Sequence, residues 1–516
     1  MTTGVVEDQS EVTRFLRDPS LFGAAEPVTV IETHVSRVFL AGDTALKLKR
    51  AVKLPYVDFS SAEIRLAACE REFTLNAPTA PQLYRGVRRI VRSVNGTLAF
   101  DAEGPLVDAV VEMRRFDQNL LLDRRAAAGL VTADIALDLA RTIHAFHARA
   151  PVSHERTGSE ILRSIIDLNL VSFREQPLFA PDAVDTLDRA FRRALDRHAA
   201  HLDRRSSHGW VRRCHGDLHL RNICLIDGKP VLFDCLDFSE ALSTIDVLYD
   251  LAFLLMDLWH RGLKEIANLV ANRYVDEDDS DDGYALLSFF MAVRAAIRAH
   301  VTATAADGKD DPTLLEEARS YFRLAGELLE EAPPCLVAIG GFSGSGKTTV
   351  SALVAPNLLP APGARTLETD RLRKAMFGVP AETHLPAEAY KPPVSARVYA
   401  MLEKRAEALL RSGASVVTAA VFDRPDTRAA MEAAASGSSF AGVWLEVGAD
   451  ALRKRLSGRP RGASDADLSV LDRQLATPLE GLQWARIASG STPEATADAI
   501  LAAAHSTMRN KRPASR

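Results

Sequence analysis

Apolar and polar residues alternate at residues 28–31, 37–40 and 45–49, and this period of two predicts three short strands. Gly42 and Asp43 supply a turn between the last two. Helical spacing follows over residues 62–76. A second strand region covers 83–111, with the turn pair Asn95 and Gly96 inside it. Residues 133–150 carry one apolar face and read as an amphipathic helix, with more helix to about residue 197. Strands flank residues 215–222, and Asp227 with Gly228 makes a hairpin turn before the apolar residues 231–233. Helices dominate residues 245–329. The most apolar run, 247–259, is interrupted by Asp250 and Asp257 and is too short to span a bilayer, so it reads as a buried helix.

The pattern changes at Glu330, Glu331, Ala332, Pro333 and Pro334, a sharper break than the charged stretch at 307–312. Beyond it come a strand (336–339), a glycine-rich loop, a helix (347–357) and a strand ending near Glu368. Helix 395–411, strand 415–422, helix 425–435, strand 440–447 and further helices follow. Strands alternating with helices predict a parallel sheet covered by helices. The expected organisation is α/β, with an α+β domain at 1–332 and a parallel α/β domain at 333–516. A chain of 516 residues is long enough for two such cores, and no internal repeat relates them.

Composition narrows the function classes. A net charge of −5 argues against a dedicated nucleic-acid binder, and no basic stripe or helicase-like motif set is present. The five cysteines form no CxxC pair, and their odd number gives no complete disulfide framework. The first residues have neither a basic nor an apolar leader region. A cytoplasmic location without membrane or nucleic-acid partners is expected.

Two motifs carry chemistry. In the first, His215, Gly216 and Asp217 precede His219 and Asn222, and Asp234 ends the strand that follows. Phosphoryl transfer from ATP needs a base near the acceptor hydroxyl and oxygen ligands for Mg²⁺. Asp217 supplies the base, and the five-residue gap lets Asn222 face the same phosphoryl group. Asp234 stands where a second metal ligand belongs. In the second motif, Gly341, Phe342, Ser343, Gly344, Ser345, Gly346, Lys347 and Thr348 fit GxxxxGK[ST] between an apolar strand and a helix. Backbone N–H groups of such a loop wrap phosphates at a helix N-terminus. Lys347 would bridge the β- and γ-phosphates and Thr348 would ligate Mg²⁺, with Thr349 beside it.

The first motif resembles that of aminoglycoside phosphotransferase-like kinases. The resemblance extends to Arg141, His144 and His147 ahead of the motif and to Tyr249, Asp250, Leu251 and Ala252 after it. It implies a protein-kinase-like fold over most of residues 30–300. It also implies a phosphate-binding lysine at Lys47 or Lys49, with Lys47 favoured, paired to Glu72 or, less well, Glu70. No GxGxxG occurs between 28 and 45, which argues against a protein kinase. Thr33, His34, Val35 and Ser36 form the expected phosphate loop, with Ser36 offering its hydroxyl and N–H.

The second motif, with Glu368, Thr369, Asp370, Arg371, Leu372, Arg373 and Lys374, resembles P-loop small-molecule kinases of the gluconate kinase and zeta-toxin type. The resemblance implies that Asp370 is the base and that Arg371 or Arg373 binds an acidic substrate. It further implies that Arg453, Arg455, Arg459 and Arg461 belong to a lid. Ala419 departs from it, because related predicted kinases carry an aspartate there. The whole chain resembles bacterial two-domain proteins in which an aminoglycoside phosphotransferase-like domain precedes a predicted P-loop kinase. Two readings follow: a bifunctional kinase using ATP and Mg²⁺ on small-molecule hydroxyl groups, or one working kinase with a regulatory nucleotide-binding domain.

Overall fold

The computed structural model describes residues 4–33, 35–54, 57–307, 311–458, 464–489 and 492–510. The chain forms two compact units, one of residues 1–161 and 199–257, the other of residues 162–198 and 258–516.

In the first unit, β1 (Thr29–Glu32), β2 (Ser36–Ala41), β3 (Thr44–Lys49), β4 (Tyr84–Arg92), β5 (Leu98–Phe100) and β6 (Leu106–Arg114) make one antiparallel sheet. Its order is β1-β2-β3-β6-β4-β5. Side-chain alternation divides β3. Leu46 and Leu48 pack with Phe39, Ile90 and Val110 on one face. Ala45 packs on the other face with Cys69 of α1 (Ala62–Asn76), so Lys47 and Lys49 point to the α1 side. The Ser61 hydroxyl caps α1 by accepting the Ile64 N–H. After α2 (Ala133–Arg149), the hairpin of β7 (Ile223–Ile226) and β8 (Lys229–Leu232) turns at Asp227 (φ 50°) and Gly228 (φ 76°). Two successive left-handed residues are what a two-residue hairpin loop requires. Cys224 and Val231 join the hairpin to the core beside α1.

The boundary between units falls within α3 (Gly158–Arg174), α4 (Pro181–Ser207) and α5 (Val247–His260). The second unit then contains α6 (Lys264–Glu277), α7 (Leu287–Ala306) and α8 (Pro312–Leu328). Among the described residues one helical stretch, Tyr284–Ala306, is long and apolar enough to cross a membrane, and it is largely buried within the unit. Five parallel strands follow: β9 (Cys335–Gly340), β10 (Arg365–Glu368), β11 (Val416–Ala419), β12 (Ser439–Glu446) and β13 (Ala485–Ala488). They lie in the order β10-β11-β9-β12-β13. Helices α9 (Lys347–Val354), α10 (Thr369–Met376), α11 (Pro392–Ser412), α12 (Pro425–Ala434), α13 (Ala449–Ser457), α14 (Leu468–Ala476) and α15 (Pro493–Asn510) complete the unit. Val350, Val354, Ile500 and Ala504 of α9 and α15 cover Val337, Ile339 and Val443 of the sheet.

Two expectations are corrected here. The strand placed at 415–422 ends at Ala419, because Phe422 takes a left-handed φ of 52° and Val421 turns its carbonyl to the Gly341 N–H, 3.1 Å away. The helices expected after residue 447 are interrupted by β13. Three of its four residues are exposed, so no apolar alternation announces it.

The outer edge of β10 is not left open. Asn272 Oδ1 accepts the Thr366 N–H at 2.8 Å, and the amides of Asn268 and Asn272 donate to the Ala364 carbonyl at 3.0 and 3.2 Å. These asparagines, one helical turn apart on α6, satisfy an edge that would otherwise pair with another chain.

Candidate active site

The loop carrying Asp217 is fixed from below. Gly216 has φ 81°, and a Cβ there would lie 2.9 Å from Leu236 Cβ, so the turn requires glycine. Asp250 accepts the backbone N–H groups of His215 (3.0 Å) and Gly216 (2.9 Å), and His147 Nε2 lies 3.0 Å from its carboxylate. Burial lowers the pKa of His215, so its ring stays neutral and Nε2 donates to the Phe233 carbonyl at 3.0 Å. That bond ties the loop to the residue before Asp234. His147, Cys214 and Asp250 lie close enough to hold a metal, but the Asp250 oxygens already serve the loop backbone.

On this base the predicted residues converge. Asn222 Nδ2 donates to Asp217 Oδ2 (2.8 Å) and to its carbonyl (2.9 Å), while His219 Nε2 lies 3.4 Å from the same carboxylate. Asp234 adopts φ 61°, uncommon for a non-glycine residue and frequent at functional sites. Its Oδ1 lies 2.5 Å from Lys47 Nζ, which lies 2.8 Å from Glu72 Oε1. Glu72 is fully buried, whereas Glu70 is exposed. Burial opposes the charges of both partners, yet Asp234 and Glu72 hold the Lys47 pKa well above its usual value, and Lys47 and Lys49 hold Glu72 at about 2. Asn222 and Asp234 offer the hard oxygen donors that Mg²⁺ takes.

Lys49 is more buried than Lys47 and divides itself between Glu72 Oε2 (2.5 Å) and Asp237 Oδ2 (2.6 Å). Sequence reasoning missed Asp237, whose only signal was its position three residues past Asp234. Burial raises the Asp237 pKa even against Lys49. The expected phosphate contact of the Ser36 N–H is corrected: Ser36 is buried and donates that N–H to Thr33 Oγ1 at 3.0 Å. His34 lies outside the described residues.

In the second unit the glycine loop joins β9 to α9. A Cβ on Gly341 would sit 2.7 Å from Ser345 Oγ, and one on Gly344 would sit 3.1 Å from the Leu452 carbonyl. Only glycines leave this cradle open, with Gly346 at φ 94° opening the helix. Lys347 Nζ donates to the Gly341 (2.7 Å) and Phe342 (3.0 Å) carbonyls. The Ser343 N–H donates to Gln474 Oε1 of α14 at 2.9 Å, and Ser345 Oγ is buried without a hydrogen-bond partner among the described residues. Thr348 and Thr349 are exposed in the first turn of α9. Thr348 lies near Glu368, a buried carboxylate whose pKa burial raises and Thr348 partly lowers, and for which the sequence offered no role.

Glu368 ends β10 and pairs in register with Ala419, which also faces Ile339. Asp370 follows in the first turn of α10, near enough to act electrostatically on both Glu368 and Tyr390. Arg373 is buried, lies 4.7 Å from the Tyr390 ring and donates to the Ala389 carbonyl at 2.6 Å. Asp465 receives Lys374 Nζ (2.5 Å), the Leu385 N–H (3.0 Å) and the Tyr390 hydroxyl. Arg371 Nε lies 3.3 Å from Glu368. Of the expected lid arginines, Arg453 pairs with Asp472 at 2.9 Å and Arg455 donates to the Ser489 carbonyl at 2.9 Å. Arg459 and Arg461 lie outside the described residues.

A model of the Phosphotransferase enzyme family matches residues 111–290, and a model described as AAA domain matches residues 336–478. Uncharacterized proteins of Mycobacterium tuberculosis and Mycobacterium bovis are 30% identical to this chain over 469 residues, spanning 86% of it and 90% of each relative. Among solved structures, a choline/ethanolamine kinase family protein from Mesorhizobium loti is 16% identical, with a TM-score of 0.40, over 63% of this chain and 95% of its own. A gluconokinase from Sinorhizobium meliloti 1021 is 23% identical, with a TM-score of 0.25, over 36% of this chain and 100% of its own.

Proposed function

Because the chain belongs to the family of these mycobacterial proteins and joins a phosphotransferase module to a P-loop kinase module, we propose that it transfers phosphate from ATP to small-molecule hydroxyl groups at two separate sites. It is a kinase-type phosphotransferase, as both family matches indicate. The observation that carries the finer reading is the convergence of Asp217, Asn222, Asp234, Lys47 and Glu72 within one unit, while the glycine cradle belongs to the other.

In the first site Asp217 takes the proton of the acceptor hydroxyl, oriented for that task by Asn222 and His219. Lys47, held by Glu72, presents its charge to the ATP phosphates. Asn222 and Asp234 would hold Mg²⁺, which neutralises phosphate charge when bound. In the second site the loop N–H groups and Lys347 cradle phosphates, Thr348 with Glu368 would hold Mg²⁺, and Asp370 is the base. Five buried free cysteines accord with a reducing cytoplasm, where we place the enzyme without membrane or nucleic-acid partners.

One observation favours the alternative, a regulatory second module. Ala419 puts no carboxylate between the P-loop strand and Glu368. Phosphorylation of a panel of sugars, amino alcohols, aminoglycosides and sugar acids by wild type, Asp217→Ala and Lys347→Ala separates the readings. Loss of different products from the two variants supports two kinases. Loss of all transfer in Asp217→Ala, with mere slowing in Lys347→Ala, supports the regulatory module. Full transfer in both variants would refute the assignment of both sites.

A further inference from the structure

The second site is braced by Asp276, a residue inside the region matched by the phosphotransferase model and well before the second match begins at residue 336. Asp276, near the end of α6, bridges two arginines. Its Oδ1 lies 2.6 Å from Arg365 Nη2, and its Oδ2 lies 3.5 Å from Arg371 Nη1. Arg365 is almost wholly buried on β10 and also pairs with Asp281 at 2.8 Å, so it anchors α6 to the sheet edge. Arg371 does something different. Its Nε reaches Glu368 Oε2 at 3.3 Å, and Glu368, whose pKa burial raises, lies near enough to Thr348 of the P-loop helix for that residue to lower it in part. Asp276, Arg365, Glu368 and Arg371 all line one cavity of 410 Å³.

We propose that Asp276 is a positioning residue of the P-loop site, holding Arg371 across Glu368 so that Glu368 stays directed at Thr348. The physical reason is the split of the Arg371 guanidinium between two carboxylates. Without Asp276 on one side, Arg371 is held only by Glu368 and can draw that carboxylate away from the threonine hydroxyl. The two family matches are therefore not mechanically independent: movement of α6, an element of the first match, reaches the nucleotide site of the second. The inference rests on reading Lys347 and Thr348 as a nucleotide and Mg²⁺ site.

The test uses the full chain and a fluorescent ATP analogue, titrated with Mg²⁺. The signal assigned to the P-loop is the part lost in Lys347→Ala. Asp276→Asn and Arg371→Gln are each expected to raise the half-saturating Mg²⁺ concentration about tenfold. The double variant should be no worse than the larger single one, because both remove the same brace. Arg371 is about a third exposed, whereas Arg365 is buried between Asp276 and Asp281, so Arg371→Gln should do this without lowering the melting temperature. The proposal is overturned if Asp276→Asn lowers only the melting temperature, if Arg371→Gln leaves the Mg²⁺ dependence unchanged, or if the two effects add. If Lys347→Ala removes no Mg²⁺-dependent binding, the P-loop reading itself falls, and the proposal with it.

Discussion

Glu72 Oε2 lies 2.5 Å from Lys49 Nζ although the other oxygen of the same carboxylate already serves Lys47. One buried glutamate thus holds two lysines of a single strand face, and their other partners separate their roles. Lys47 continues to Asp234 at the site, whereas Lys49 continues to Asp237, which is buried.

Lys47→Ala and Lys49→Ala should therefore fail differently. Lys47→Ala is expected to reduce transfer at the first site with the fold retained. Lys49→Ala leaves Asp237 buried without its cation and should cost about 3–5 kcal/mol of stability. Denaturant melts beside steady-state kinetics would distinguish the two, and equal stability losses would contradict the division.

Asp217→Asn keeps the shape of the side chain and removes its basicity. We expect kcat at the first site to fall by about 100-fold or more, with ATP affinity little changed. Kinetics and direct nucleotide titration check this together. A loss confined to ATP binding would remove Asp217 from the base role.

The Arg365 cluster gives the second unit an acid-sensitive element. Burial opposes the charge of Asp281, but Arg365 and Arg405 outweigh it and hold the carboxyl at about 2, below its ordinary 3.8. A carboxyl depressed on folding stabilises the native state above its unfolded pKa and loses that contribution as pH falls through the folded one. For Asp281 this amounts to about 2 kcal/mol, lost between roughly pH 4 and pH 2. Asp281→Asn should melt lower than wild type at pH 7, with the gap narrowing over that window. A gap independent of pH would show that the charge is not the source.

A fragment beginning at residue 333 should be unstable. It would expose the β10 edge that Asn268 and Asn272 cover and strip Arg365 of both carboxylates. We expect it to aggregate on expression, whereas a chain retaining α6 should not. A monomeric, cooperatively melting fragment would refute this.

The sequence by itself determined the elements and both motifs, because these depend on local periodicity and short spacing. Helix α1 has the bounds 62–76 that its spacing predicts, and Asp227 with Gly228 makes the hairpin turn that its residue types demand. The spacing of Asp217, Asn222 and Asp234, like the GxxxxGK[ST] fit, was legible because each lies on one loop or strand end. Tertiary structure decided what depends on partners distant in the chain. Lys47 and Lys49 were equivalent by alternation until Asp234 and Asp237 separated them, at 187 and 188 residues' remove. Glu368 was one acidic residue among several until parallel pairing set it beside Ala419 and the P-loop helix placed Thr348 against it. The proline break at 333–334 marks a change of pattern, but α6 belongs to the second compact unit, for the physical reason that an edge strand and a buried arginine need partners wherever in the chain these lie.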